Sequence, residues 1–255
     1  MNFIDTHAHI YQEDFKTDID SVIARAKENG VSKIYLPNVD VPSIADLKEL
    51  VQKDPKFFIP MMGLHPCYVK EDFEEQLNAI EKELRGGTYV AVGEIGIDLF
   101  WDKSFFIQQQ EAFRVQIKWA IELNLPIIIH ARDSLKEIFE IMDEEVHPRL
   151  KGIFHCFSGN VDDAKKVIKY GFKLGIGGVV TFKNGGLDKV LKEIDVKHLV
   201  LETDAPYLTP VPHRGKRNES SYVKLVAERL AEIYNISVNE VARITTANAS
   251  EVFKF

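Results

Sequence analysis

Short apolar runs alternate with amphipathic stretches along the whole chain. The first run, residues 3–10, reads as a buried strand. Residues 18–29 follow, with Ile19, Val22, Ile23 and Ala26 at helical spacing and Gly30 as a stop. Six further pairs repeat the pattern. The strands are residues 32–39, 57–64, 89–98, 126–132, 152–158 and 172–181. The helices between and after them are residues 44–51, 71–85, 106–124, a segment opened by Ser134, 162–170 and 187–194. An eighth strand, residues 198–204, leads through a Pro-, Arg- and Lys-bearing loop (205–218) into two or three final helices. Ser43 is read as an N-cap, and Ser134 with Glu137 and Ser237 with Glu240 as capping boxes. Strands alternating with helices imply a parallel sheet. Eight such units without a long linker predict one α/β domain over residues 1–255, a closed (β/α)8 TIM barrel. An open doubly wound sheet is the alternative. No glycine fingerprint for a dinucleotide follows the first strand, and there is no phosphate-cradling P-loop.

Composition narrows the class. Apolar residues make up 45% of the chain, which supports a sizeable core and argues against disorder. No apolar run approaches the ~20 residues that span a bilayer. The start, Met-Asn-Phe-Ile-Asp, shows no secretory signal. Two cysteines, Cys67 and Cys156, are too few for a disulfide framework, so a reduced, cytoplasmic protein is expected. A net charge of −7 argues against a non-specific coat on duplex DNA. It leaves room for an enzyme acting at a nucleic-acid end, where a few local cations suffice.

The polar residues that interrupt the apolar runs carry the chemistry. His7 and His9 lie two apart, so a strand aims both rings at one face, with Asp5 below them. Alone they are equally a hydrogen-bonded rim pair. In a barrel, however, the C-terminal strand ends gather His7 and His9 with His65, Glu94, His130, His155 and Asp204. So many imidazoles and carboxylates on one rim predict a metal site. Four of these imidazoles (His7, His9, His130 and His155) and the two carboxylates exceed what one ion needs if water and substrate also bind, so two divalent ions are expected. His7, His9 and Asp204 would hold one and His130 and His155 the other, with Glu94 as the bridge. Asp204 is also a candidate base toward the attacking water. Glu202 either orients a ligand histidine or pairs with a neighbouring cation. His147, His198 and the loop residue His213 stand outside the set.

Arg132, two residues past His130, and the loop His213-Arg214-Gly215-Lys216-Arg217-Asn218 gather cations near that rim. They suggest an anionic substrate, although a solvated charge run is the usual meaning of such a loop. Phe100, Trp101 and Phe105, just past the fourth strand, either stack a base or cap the core. Cys156 is expected to turn away from the site as a small core residue. Cys67, after Pro66, can approach it, with no support for nucleophile chemistry.

The ordered motifs Asp5-Thr6-His7-Ala8-His9, Gly63-Leu64-His65-Pro66, Gly93-Glu94-Ile95-Gly96-Ile97-Asp98, Ile129-His130-Ala131-Arg132-Asp133, Phe154-His155-Cys156-Phe157-Ser158-Gly159, Leu201-Glu202-Thr203-Asp204-Ala205-Pro206 and Arg214-Gly215-Lys216-Arg217-Asn218-Glu219 resemble those of the TatD-type metal-dependent deoxyribonucleases, in the amidohydrolase superfamily. The resemblance covers essentially the whole chain. It implies a two-metal phosphodiesterase, a 3′–5′ exonuclease on single-stranded DNA or RNA. It implies metal ligands at His7, His9, Glu94, His130, His155 and Asp204, with zinc, magnesium or manganese as the ions. It implies catalytic roles for Glu94 and Asp204, and a phosphate held by His65, Arg132 and Arg214. Ser220 and Leu99 depart from the family pattern at positions that set substrate preference rather than metal binding. A related hydrolase of lactones or amides is the alternative activity, disfavoured by Glu94 where such barrels carry a bridging lysine. A non-catalytic metal-binding protein is a third reading. A monomer that works away from the membrane is expected.

Overall fold

The computed structural model describes residues 1–253. Eight strands run in chain order: β1 (Phe3–Asp5), β2 (Val31–Pro37), β3 (Phe58–Met61), β4 (Val92–Asp98), β5 (Ile127–Arg132), β6 (Gly152–Phe154), β7 (Lys173–Ile176) and β8 (Leu199–Leu201). The helices between them are α1 (Ile19–Glu28), α2 (Ile44–Lys53), α3 (Phe73–Gly86), α4 (Phe106–Leu123), α5 (Leu135–Glu144), α6 (Val161–Lys169) and α7 (Leu187–Leu191). After β8 come α8 (Val223–Tyr234) and α9 (Val238–Phe253). All pairings are parallel, in two arcs, β1-β2-β3 and β4 through β8.

Backbone hydrogen bonds join the arcs into a ring. Met62 N–H donates to Ala91 O and Gly93 N–H to Met62 O between the third and fourth strands. Thr6 N–H donates to Leu201 O, Asp204 N–H to His7 O and His9 N–H to Ala205 O between the eighth and first. The fold is the expected (β/α)8 barrel. Closing the ring leaves no unpaired sheet edge.

Strand alternation explains the two-sided core. Ile34, Leu36, Ile127, Ile129, Phe154, Leu199 and Leu201 pack outward under the helices. Between them Tyr35, Ile128, Ile153 and Val200 fill the barrel interior, with Ala249, Val252 and Phe253 of α9 closing its lower end. Two residues further along the same inward lines come His130, His155 and Glu202. Glu94 does not follow from alternation alone, because Val92, Ile95 and Ile97 all pack outward. The register shifts between Val92 and Ile95. An irregularity of this kind re-aims a side chain, and here it turns Glu94 inward.

The strands are shorter than the apolar runs suggest. Residues 155–158 and 202–204 lie beyond the regular strands and keep only single interstrand bonds such as His155 N–H to Ile129 O, and residues 178–181 form a 3₁₀ turn instead of extending β7. Capping differs as well. Ser134 donates its hydroxyl to Ile97 O at 2.6 Å, and Ser43 turns its hydroxyl to Asn38 and Asp40, so neither caps its helix. The complete capping box lies at Asn160 and Asp163. At Ser237 only half of the expected box is seen, the hydroxyl accepting from Glu240 N–H while the Glu240 carboxylate pairs with Arg243. At Ser134 a tertiary partner outcompetes the cap, whereas at Ser43 and Glu240 another local partner does.

The lower end of the barrel is a stability element. Phe253 is buried and stacks on Tyr35 with ring centroids 3.9 Å apart. Phe253→Ala is expected to lower the unfolding free energy by about 3 kcal/mol, read by urea denaturation, with metal binding at the far end unchanged.

Candidate active site

Glu94 is buried at the upper end of the barrel, and its two oxygens face different imidazoles. Oε2 lies 3.0 Å from His7 Nε2 and 3.3 Å from His9 Nε2. Oε1 lies 2.8 Å from His130 Nδ1, 3.0 Å from His155 Nε2 and 3.3 Å from His65 Nε2. Asp204 Oδ1 stands 3.7 Å from both His7 Nε2 and His9 Nε2. The six expected donors therefore converge.

The outer nitrogen of each imidazole decides what its inner nitrogen offers. Tyr11 donates its hydroxyl to Pro37 O at 2.7 Å, so at 3.2 Å from His9 Nδ1 it accepts. His9 thus carries its proton on Nδ1 and presents a lone pair at Nε2. His130 donates from Nε2 to Asp98 Oδ2 at 2.9 Å, and its Nδ1 faces Glu94 Oε1 at 2.8 Å. His155 turns Nδ1 to Glu202 Oε1 at 3.3 Å and Nε2 inward. His65 is the reverse case. Its Nδ1 accepts from Cys67 N–H at 3.1 Å, so its Nε2 bears the proton and is a donor. His65 stands beside Glu94 and His130, yet it is built to donate to an anion rather than to ligate.

These donors fit divalent ions. Lone pairs of His7, His9, Glu94 and Asp204 meet at separations of 3.0–3.7 Å, and four ligands at about 2.1 Å on a tetrahedral ion lie about 3.4 Å apart. Glu94 Oε2, which faces His7 and His9, is buried without a hydrogen bond, the condition a bound cation relieves. Burial opposes charge on Glu94, but His155, His65 and His7 outweigh it and hold the carboxyl well below its usual range. Burial also keeps His7 neutral, the ligating form. At His130 the hydrogen bonds it gives to Asp98 and Glu94 overcome burial and raise the pKa, so this position favours positive charge, which a bound cation also supplies. Burial pushes the Asp204 carboxyl up to about 6.

Neighbouring backbone is fixed by buried polar side chains. Gln109 and Gln116, two turns apart on α4, accept from Asp98 N–H at 2.9 Å and Leu64 N–H at 2.7 Å, which holds the ends of β4 and of the loop bearing His65. Asn218 donates to Thr203 O and Tyr207 O, bracing the turn around Asp204. Asp5 accepts from Thr203 N–H and Oγ1–H, tying the first strand to the eighth below the imidazoles. Gly175 leaves the space for Glu202, since a Cβ there would meet Glu202 Oε2 at 2.2 Å.

A cavity of about 840 Å³ opens above Glu94, lined in part by His9, His65, His130, Arg132, His155 and Asp204. Arg214 is not among its lining residues. Its guanidinium lies 3.7 Å over the Phe182 ring. Arg217 is committed to Asp18 at 2.7 Å and to the Phe15 face, so this cation of the loop fastens the chain to α1 instead of facing substrate. Cys156 does not point into the core as expected. Its backbone is left-handed (φ 46°) just after β6 ends, strand alternation no longer applies, and the residue joins the cavity wall with Cys67. Burial raises both thiols, Cys67 to about 12, so neither is a thiolate near neutral pH. Phe105 packs against the core, whereas Phe100 and Trp101 are exposed. Glu202 takes the orienting role at His155. Asp98, Tyr11, Gln109 and Gln116 escaped the sequence reading. For Asp98 a signal existed, a second carboxylate four residues after Glu94 within one apolar run.

A family model described as TatD related DNase matches residues 4–254. The chain belongs to the TatD-related DNase family. It is 44% identical to the metal-dependent hydrolase YabD of Bacillus subtilis, over 98% of each chain. To the metal-dependent hydrolase YcfH of Escherichia coli K12 it is 33% identical, over 99% of this chain and 96% of the relative. The crystal structure of the Escherichia coli TatD homologue YjjV superposes with a TM-score of 0.92 at 29% identity, over 99% of this chain and 98% of the other. A lactonase from Listeria monocytogenes shares the fold with a TM-score of 0.69 at 13% identity, covering 99% of this chain and 94% of the lactonase. This TatD-family chain is therefore a metal-dependent hydrolase. No described helix is long and apolar enough to cross a membrane.

The carboxylate behind His130 yields a test in the TatD chain. Asp98→Asn keeps the shape but removes the charge that holds the Nε2 proton. It is expected to weaken metal affinity roughly tenfold to a hundredfold, measured by competition with a chelating indicator. Unchanged affinity would show that His130 needs no such partner.

Proposed function

We propose that the protein is a divalent-metal-dependent phosphodiesterase, a 3′–5′ exonuclease on the ends of single-stranded DNA or RNA. On this reading residues 1–255 form one catalytic domain holding two ions, zinc, magnesium or manganese. The observation that carries it is the division of Glu94 between two nitrogen sets, His7 and His9 at one oxygen, His130 and His155 at the other. His7, His9 and Asp204 would hold one ion, His130 and His155 the second, and Glu94 both. Ions held there supply Lewis acidity toward a phosphoryl oxygen and a water acidic enough to attack near neutral pH.

The side chains supply the remaining chemistry. Asp204 takes the proton of the attacking water, and a carboxyl pushed up to about 6 suits that task. His65 donates its Nε2 proton to a phosphate oxygen. Arg132, on the cavity wall, offers its planar fork to the same group. Arg214 stands further out on Phe182, where it meets the trailing backbone. Glu202 and Asp98 keep the histidine rings in place. The family's description as DNases supports a nucleic-acid substrate. All donors come from one chain, so a monomer suffices, and both cysteines are free, as in a reduced cytoplasm.

The deciding assay offers end-labelled single-stranded DNA alongside a panel of lactones and amides, with magnesium, manganese or zinc. Stepwise shortening from the 3′ end is expected, and hydrolysis of a lactone with the DNA intact refutes the reading. Glu94→Ala is expected to abolish turnover and to lower bound metal below two ions per chain by elemental analysis. Two retained ions would remove Glu94 from the bridging role.

A further inference from the structure

Large apolar side chains are exposed at one end of the barrel. Tyr68, Phe100, Trp101, Tyr207, Leu208 and Val211 are each 40–70% exposed, and all stand on segments that follow β3, β4 or β8 at the rim. Exposed apolar surface gathered around a cavity marks a place that a ligand covers. Trp101 is the most exposed of these at 70%, and it lines the cavity above Glu94.

The turn that carries it is rigid and tied to the site. Asp98 Oδ1 accepts from Phe100 N–H at 3.0 Å and Trp101 N–H at 3.1 Å, while its other oxygen holds His130. The Phe100 ring meets Trp101 edge-on at 4.9 Å. Arg132 lies 3.8 Å over Phe100 and 5.2 Å from the Trp101 ring. Its guanidinium has no hydrogen-bond or ion-pair partner among the described residues, so its donors are uncommitted. An uncommitted cation and an open aromatic face this close match the phosphate and the base of one nucleotide.

We propose that Trp101 is a base-stacking platform, holding an unpaired nucleobase whose phosphate Arg132 grips. The assignment rests on the phosphodiesterase reading above. Stacking tolerates every base, because each has a π-face, but it requires the base to be out of a duplex. Trp101 thereby restricts the cavity to single-stranded ends.

The test compares wild type, Trp101→Ala and Trp101→Phe on one single-stranded oligonucleotide and on the same strand with abasic tetrahydrofuran residues at its 3′ end. On the intact strand Trp101→Ala is expected to raise KM about tenfold with kcat unchanged, and Trp101→Phe to recover most of the loss. On the abasic end wild type and Trp101→Ala should be equal. A loss that persists on the abasic end would mean that Trp101 only braces Arg132, and overturns the platform. Equal kcat/KM on the intact strand also overturns it while the phosphodiesterase reading stands. No shortening by wild type overturns both.

Discussion

The structure depends on one buried confrontation, a glutamate surrounded by imidazole lone pairs. Taking the Glu94 carboxylate out of water costs several kcal/mol unless opposite charge or hydrogen bonds compensate. Five imidazoles crowd it, and His9 and His130 turn their outer nitrogens to Tyr11 and Asp98. Positive charge on or between these nitrogens, whether protons or bound cations, turns the crowding into bonding. The outward partners thus do more than orient rings. They also fix which nitrogen of each ring faces the carboxylate. His65 marks the boundary of this rule, since its outer nitrogen accepts and its inner one donates.

The barrel makes such a cluster affordable by keeping its two ends distinct. The lower interior is closed by Tyr35, Ile128, Ile153, Val200 and Phe253, an apolar plug with no chemistry. Above it, polar side chains grip backbone: Gln109 and Gln116 from α4, Asn218 from the last loop and Asp5 from the first strand. Each satisfies a peptide group at or just beyond the upper end of a strand, where the ladder runs out. The register irregularity in β4 belongs to the same logic. It sacrifices regular pairing to deliver one carboxylate to the barrel axis.

Much of this was legible in the residues, and the misses share a cause. Period-two alternation and helical spacing located all eight strands and the order of elements. The convergence of His7, His9, Glu94, His130, His155 and Asp204 followed from strand ends alone. What failed were the inferences that needed partners remote in sequence. Ser134 reads as a cap until Ile97 O is seen beside it. Arg217 reads as a substrate cation until Asp18, 199 residues away, claims it. Cys156 breaks alternation because β6 stops one residue before His155. The protons of the imidazoles were illegible for the same reason, since Tyr11, Asp98, Glu202 and Cys67 N–H set them through contacts that no local pattern encodes.

Charge poses the last constraint on the functional reading. A chain of net charge −7 repels a polyanion over most of its surface. Of the cations near the mouth, Arg217 is paired and Arg214 rests on Phe182, which leaves Arg132 as the cavity's own guanidinium. On the proposed phosphodiesterase reading, attraction for substrate would come mainly from ions held at the Glu94 cluster, and it would reach no further than the cavity. Such an enzyme gains little by lying along a strand. On the proposed reading it gains by taking an end that a base-stacking wall and a metal floor hold together, and the negative surface then works as a filter against long duplex rather than as a handicap.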